Sequence, residues 1–209
     1  MPSDIRRPQP ERGRADEPDE ANANSREKPL SQYAIISDLP SPFVAGWLPR
    51  VVASLGPDAR LLDLAMGRGR HARLLARTGR HTFGVDVKLD AVASAVATLR
   101  AEGLVVRGWC ADLTVSDLPR DAFDLVLVTR YLQRDLFESI RAALRPGGIV
   151  MYETFTTRQR RHGTGPRSPE HLLEPGELPG YFEGFELLSS EEVEAPEAVA
   201  RIVAKKGAV

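Results

Sequence analysis

Cysteine is almost missing from this chain: among 209 residues there is only Cys110. An internal disulfide and a cysteine-rich zinc site are thereby excluded, and no metal is expected. Long apolar runs are missing too; none approaches the roughly 18 residues that a membrane span requires. An excess of either charge is also lacking. Lys and Arg total 28 against 29 Asp and Glu, for a net charge of -1, so the chain is no polycation built to coat nucleic acid. The N-terminus is charged and proline-rich, without the apolar core of a secretory signal. These absences predict a soluble protein of a reducing, cytoplasmic setting, with neither membrane nor nucleic acid as its partner.

What is present is enough apolar residue, 42%, to bury the core of one ordinary domain. Residues 1–30 hold almost no large apolar side chains and mix Arg, Pro, Asp, Glu and Asn. Such a stretch cannot offset its ordering entropy, so a disordered tail is expected there and a folded domain over 31–209.

Inside the domain, "SPFVAGWLPRVVASLG" sets Phe43, Val44, Trp47, Leu48 and Val51 at helical spacing, with Ser41 as N-cap and Pro42 in the first turn. Short apolar runs then alternate with amphipathic segments. "ARLLDLA", "HTFGVDV", "LVVRGWCADL", "FDLVLVT" and "IVMYETFT" read as strands, Cys110 being small core filler on the third. Between them, residues 70–77, 89–102 and "LFESIRAALR" read as helices. Strands separated by helices imply right-handed crossovers and a parallel sheet, an α/β doubly wound fold. The last two runs, "FELLSSEEVE" and "AVARIVAKK", are joined too closely for a crossover and predict an antiparallel terminal hairpin.

The first strand runs into "LLDLAMGRGRH". Gly67, Gly69 and Ala72 satisfy G-x-G-x-x-G/A, and Asp86 ends the second strand about 20 residues on, as in a dinucleotide site. That pattern alone leaves NAD open. Three features favour S-adenosylmethionine. Asp63 lies within the first strand, where it would repel a pyrophosphate but attract a methionyl ammonium. "ADL" puts Asp112 at the end of the third strand, within reach of an adenine amino group. The closing hairpin is not the second half of a dinucleotide fold.

Together "LLDLAMGRGRHARLLARTGRHTFGVDV", "CADL", "FDLVLVTRYLQRDLF" and "LRPGGIVMYETF" resemble the motifs of class I S-adenosylmethionine-dependent methyltransferases. The likeness is notable to the small single-domain group that includes the tellurite-resistance TehB-type enzymes. It covers roughly residues 41–206. It implies a Rossmann-like sheet of seven strands, mostly parallel, whose reversed terminal hairpin agrees with the one read above. It also implies roles. Asp63 would hold the methionyl ammonium, and Ala65, Gly67 and Gly69 would cradle the methionyl part by backbone. Asp86 and Val87 would take the ribose, and Asp112 and Leu113 the adenine. Thr129, Arg130 and Tyr131 follow the fourth strand, where methyl group and acceptor would meet. Residues 31–57 would form a helical segment covering the cofactor. Met66 departs from the cysteine of many relatives and fits a packing position. Arg70 opens a helix, where a cation is disfavoured by roughly 0.3–1 kcal/mol unless an anion shares the site; a methionyl carboxylate would be that anion. His71 is expected to be structural or cofactor-adjacent.

For the acceptor, "TRYLQ" follows the fourth strand in place of an Asn/Asp-Pro-Pro-Tyr/Phe motif, and no Pro-Cys nucleophile occurs. Methylation of exocyclic base nitrogens and of pyrimidine C5 is thereby disfavoured. The expected acceptor is a small molecule, with thiols, chalcogen oxyanions and carboxylates as the classes considered. The long loop "TTRQRRHGTGPRSPEHLLEPGELPGYF" carries Arg158, Arg160, Arg161, His162 and Arg167 and is expected to border the acceptor. Glu153 is a further candidate base beside Arg130 and Tyr131. Two alternatives stand: an RNA or protein methyltransferase using the basic loop 157–168, and a non-enzymatic S-adenosylmethionine-binding module.

Overall fold

Apolar strands with both faces to bury and helices with one apolar stripe assemble here into three layers, helix–sheet–helix. The computed structural model describes residues 39–208; the expected tail, residues 1–30, and the start of the 31–57 segment lie outside the described residues. In chain order the elements are α1 (Pro42–Ala53), β1 (Arg60–Leu64), α2 (Arg70–Ala76), β2 (His81–Asp86), α3 (Leu89–Ala101), β3 (Val106–Cys110), β4 (Phe123–Thr129), α4 (Leu136–Ala143), β5 (Leu144–Phe155), β6 (Glu186–Val193) and β7 (Val199–Lys205). Three 3-10 turns, Thr157–His162, Pro169–His171 and Leu178–Phe182, punctuate the connection from β5 to β6.

The sheet order is β3-β2-β1-β4-β5-β7-β6. Strands β1 to β5 pair in parallel. Strand β7 runs antiparallel to both β5 and β6, so it alone is reversed. The order turns back between β1 and β4, and in open α/β sheets ligands bind at such a switch point, beyond the carboxyl ends of the strands.

Strand alternation divides the core. Leu61, Leu125, Leu127, Ile149 and Met151 face α1 and α2, burying Phe43, Val44, Leu48 and Val51. Leu62, Leu64, Val126, Val128, Val150 and Tyr152 face α4 and the long loop, against Phe137, Ile140 and Phe182. Each such fully buried side chain contributes roughly 1.5–3 kcal/mol of burial free energy, enough to fix strand register.

Four local expectations are corrected. Ser41 stands at the N-cap of α1 but makes no side-chain cap, and its buried hydroxyl has no hydrogen-bond partner. The third strand is shorter than its apolar run. Helix α4 stops at Ala143, and the "LRPGG" stretch is already extended in β5. Cys110 is exposed, not core filler; β3 is an edge strand, and the Cys110 thiol donates to the Val87 carbonyl at 3.3 Å. Among the described residues no helix is long and apolar enough to cross a membrane.

Candidate active site

The turn from β1 to α2 is tight, and it uses left-handed backbone at Ala65 (φ 55°), Gly67 (φ 53°) and Gly69 (φ 80°). The two glycines meet different needs. A Cβ on Gly69 would lie 3.1 Å from the Ala95 Cβ of α3, so this glycine lets the loop sit down on the helix. A Cβ on Gly67 would meet nothing within 4 Å; there the backbone lies open to a ligand. Met66 fills the space over Gly84, whose missing side chain its thioether replaces. The packing role expected of Met66 is therefore what the fold requires.

Carboxylates surround this turn. Asp86, at the end of β2, accepts the Gly67 N–H at 2.8 Å and the Lys88 N–H at 3.0 Å, and so holds the turn in place. Asp112 accepts from the Thr114 N–H at 2.9 Å and hydroxyl at 2.7 Å, bonds that lower its pKa. Asp63 is 1% exposed in β1, and its Oδ2 has no hydrogen-bond partner. Burial raises its pKa to about 7, against the opposing pull of the Ala72 backbone hydrogen bond and the Arg70 charge. An unsatisfied buried carboxylate oxygen is costly.

Two cavities meet at Ala65. One, of about 620 Å³, is lined by Asp86, Val87, Asp112, Leu113, Tyr131 and Gln133, and continues to Arg134, Asp135, Glu170 and His171. Its size suits a small ligand. The other, of about 570 Å³, is lined by Gly67, Arg68, Arg70, His71, Thr129 and Arg130, among others. The structure thus brings together most of the residues expected around the cofactor: Ala65, Gly67, Arg70, Asp86, Val87, Asp112, Leu113 and Thr129 line one or both cavities, whereas Asp63 and Gly69 line neither. Arg130 takes left-handed backbone (φ 54°) as the chain leaves β4, and its side chain pairs with Glu197 at 2.6 Å. Arg70 is held below its ordinary pKa by burial and by Arg130. Tyr131 is raised by burial and by Asp112 and Asp86, which keeps its phenol protonated; it donates to Gln133 Oε1 at 2.6 Å.

Other expected residues are engaged elsewhere. Glu153 is buried and accepts from Arg201 Nε at 2.6 Å, so an ion pair across β5 and β7 occupies the carboxylate expected to serve as base. Arg158 pairs with Glu194 at 2.6 Å. Arg160 donates to the Arg167 carbonyl at 3.1 Å, and Arg161 is exposed. None of these three arginines lines either cavity. The loop reaches the larger cavity through Glu170 and His171 instead. It is pinned there by Arg134, which donates to both Glu177 oxygens at 2.7 and 2.9 Å and to the Leu172 carbonyl at 3.0 Å. Sequence reasoning did not single out Gln133, Arg134, Asp135, Glu170 or His171. For the first three a signal existed, since they continue the segment that follows β4.

This geometry fits S-adenosylmethionine. The orphan oxygen of Asp63 is chemically matched to an ammonium, the open side of Gly67 to a closely approaching ligand, and Asp86 and Asp112 in one cavity to ribose and adenine donors.

Comparison with known proteins agrees. Residues 61–148 match the methyltransferase domain family. A 76-residue stretch is 33% identical to ribosomal RNA small subunit methyltransferase F of Shewanella amazonensis, covering 36% of this chain and 14% of that protein. The chain therefore spans only a small part of that curated relative's length. Among solved structures, an S-adenosylmethionine-dependent methyltransferase from Clostridium acetobutylicum superposes with a TM-score of 0.66 at 17% identity, over 83% of this chain and 94% of that one. TehB from Haemophilus influenzae does so with 0.62 at 17% identity, over 78% and 61%. The matched segment carries the glycine turn and resembles the methyltransferase domain family, and the sheet around it has the fold of these S-adenosylmethionine-dependent methyltransferase structures.

Proposed function

We propose that this protein transfers the methyl group of S-adenosylmethionine to a small-molecule acceptor received in the outer part of the larger cavity. The observation that carries this reading is the extension of that cavity beyond the cofactor residues, past Tyr131 to Arg134, Asp135, Glu170 and His171. Bound S-adenosylmethionine supplies an electrophilic methyl group on a sulfonium centre. The chain's own residues bind and orient: Asp63 and the open backbone at Gly67 hold the methionyl end, and Asp86 and Asp112 the nucleoside. The turn between β4 and α4 brings the acceptor alongside. Positioning of this kind can lower a barrier by up to about 7–11 kcal/mol, so no dedicated acid–base pair is needed for a good nucleophile.

The charge of the outer wall narrows the acceptor. Asp135 and Glu170 have no ion-pair partner among the described residues, and the Arg134 guanidinium is already committed to Glu177. Two uncompensated carboxylates favour a neutral or cationic acceptor over a carboxylate or an oxyanion. Of the classes considered, a thiol alone can enter this wall uncharged, its proton passing to a wall carboxylate, Asp135 or Glu170, as the sulfur takes the methyl group and S-adenosylhomocysteine leaves. Labelled S-adenosylmethionine offered with a metabolite extract tests the reading: labelled product in the small-molecule fraction is expected, and label only in RNA or protein would refute it.

A second reading, methylation of RNA, draws support from the rRNA methyltransferase likeness and from the exposed Arg160 and Arg161, neither of which pairs with an acid among the described residues. Label transfer to RNA with steep salt dependence would favour it.

A further inference from the structure

One buried titratable side chain lining the cavity at the glycine turn takes no part in the proposed methyl transfer. His71, 2% exposed, lies in the first turn of α2, and both its ring nitrogens are engaged. Nε2 accepts the backbone N–H of Ser41, the residue that leads into α1, at 3.0 Å. Nδ1 lies 3.0 Å from the Thr129 hydroxyl at the end of β4. A backbone N–H can only donate, so Nε2 carries the lone pair and the ring proton sits on Nδ1, donating to Thr129 Oγ1. The Thr129 hydroxyl proton must then point away from the ring. Burial, together with the charges of Arg70 and Arg130, keeps the imidazole neutral, with a pKa of about 3. His71 and Thr129 line the same cavity as Ala65, Gly67 and Arg70. The preceding residue reinforces the link, since Arg70 Nη1 reaches the Leu39 carbonyl at 3.5 Å.

We propose that His71 is a positioning residue that couples the start of α1 to the methionyl end of the cofactor site. One nitrogen seats the backbone at Ser41, and the other fixes the rotamer and donor direction of the Thr129 hydroxyl. The inference rests on the methyltransferase reading. Because binding linkage is reciprocal, a ligand that engages the Thr129 end stabilises the Ser41 end, and loosening the Ser41 end weakens the ligand.

Hydrogen exchange on the full chain, with and without S-adenosylhomocysteine, reads this directly, with calorimetry for affinity. In the unsubstituted protein the ligand should slow exchange over residues 41–45 at least tenfold. His71→Gln places an acceptor near the Nε2 position and loses the Thr129 contact. His71→Asn places a donor near the Nδ1 position and loses the Ser41 contact. Each variant should lose the ligand-induced protection, with an affinity about tenfold weaker. Thr129→Val, nearly isosteric, should do the same with His71 intact, which keeps the test available if the histidine variants do not fold. Binding of S-adenosylhomocysteine without added protection at 41–45 would overturn this inference alone, as would variants that keep both protection and affinity within twofold. Absence of S-adenosylhomocysteine binding would overturn the methyltransferase reading with it.

Discussion

The turn from β1 to α2 occupies residues 65–69, whereas the connection from β5 to β6 runs over 156–185, and both lie at the same end of the sheet. In the short turn, nearly every residue answers to one constraint: left-handed backbone at Ala65, Gly67 and Gly69, a carboxylate tying down the Gly67 N–H, and Met66 packed over Gly84. In the long connection the conspicuous residues, the arginines, face Glu194, a backbone carbonyl or solvent. The work there is done by inconspicuous ones. Gln159 is buried, accepting the Ala198 N–H at 2.6 Å and donating to the Thr164 carbonyl at 3.1 Å. Tyr181 stacks on Phe137 at 3.8 Å. A short turn is constrained locally, so spacing reveals it; a long one is constrained by distant partners, so composition misleads.

Asp63→Asn strikes the short turn hardest. Removing one partner of a buried charge pair costs roughly 2–5 kcal/mol, so S-adenosylhomocysteine should bind at least about 30-fold more weakly by calorimetry. The ligand-free protein should respond in the opposite sense. A carboxylate whose folded pKa is raised from 3.8 to about 7 contributes stability below its unfolded value and loses it as pH rises through about 7. At pH 8 the asparagine variant should therefore melt higher, by about 3–6 °C for a relief of roughly 1–2 kcal/mol. By the same linkage, the affinity of the unsubstituted protein should fall up to about tenfold per pH unit as pH drops below about 7, and Asp63→Asn should abolish that slope. A flat profile would remove Asp63 from the site.

The two glycines sharpen the comparison at intermediate size. Alanine in left-handed backbone costs roughly 1–2 kcal/mol at either position. Gly69→Ala adds a 3.1 Å contact with Ala95 Cβ, so its melting temperature should fall further than that of Gly67→Ala. Gly67→Ala, pointing into open space, should cost more in S-adenosylhomocysteine affinity than in stability. The reverse ranking would mean that Gly67 does not face the ligand.

The smallest effect belongs to the long loop. The Arg160→Ala, Arg161→Ala double variant should shift stability by no more than about 0.5 kcal/mol and leave the acceptor KM within twofold. A tenfold rise for an anionic acceptor, with kcat unchanged, would return those arginines to the site.

How far the sequence was legible follows the same division. The strand over Phe123–Thr129 and the reversed end of the sheet were read from apolar runs and linker length. Gly67, Asp86 and Asp112 were read from a spacing tied to strand ends, and Ala65 from the family resemblance. Four things escaped. The exposure of Cys110 depends on β3 being an edge strand, which strand order decides. The engagement of Glu153 depends on Arg201, 48 positions on, and the anchoring of the loop on an Arg134–Glu177 pair 43 positions apart. Pairings at such separation have no local signature. The double engagement of His71 was equally hidden, because its partners, Ser41 and Thr129, come from two other elements.

The central claim is that the glycine turn, with Asp63 in the strand that leads into it, serves a methyl donor and not a dinucleotide. Parallel calorimetric titrations of the unsubstituted chain with S-adenosylhomocysteine and with NADH test it most directly. Saturable binding of S-adenosylhomocysteine near one equivalent, with no heat from NADH, is the predicted result. Binding of NADH without binding of S-adenosylhomocysteine would contradict the account.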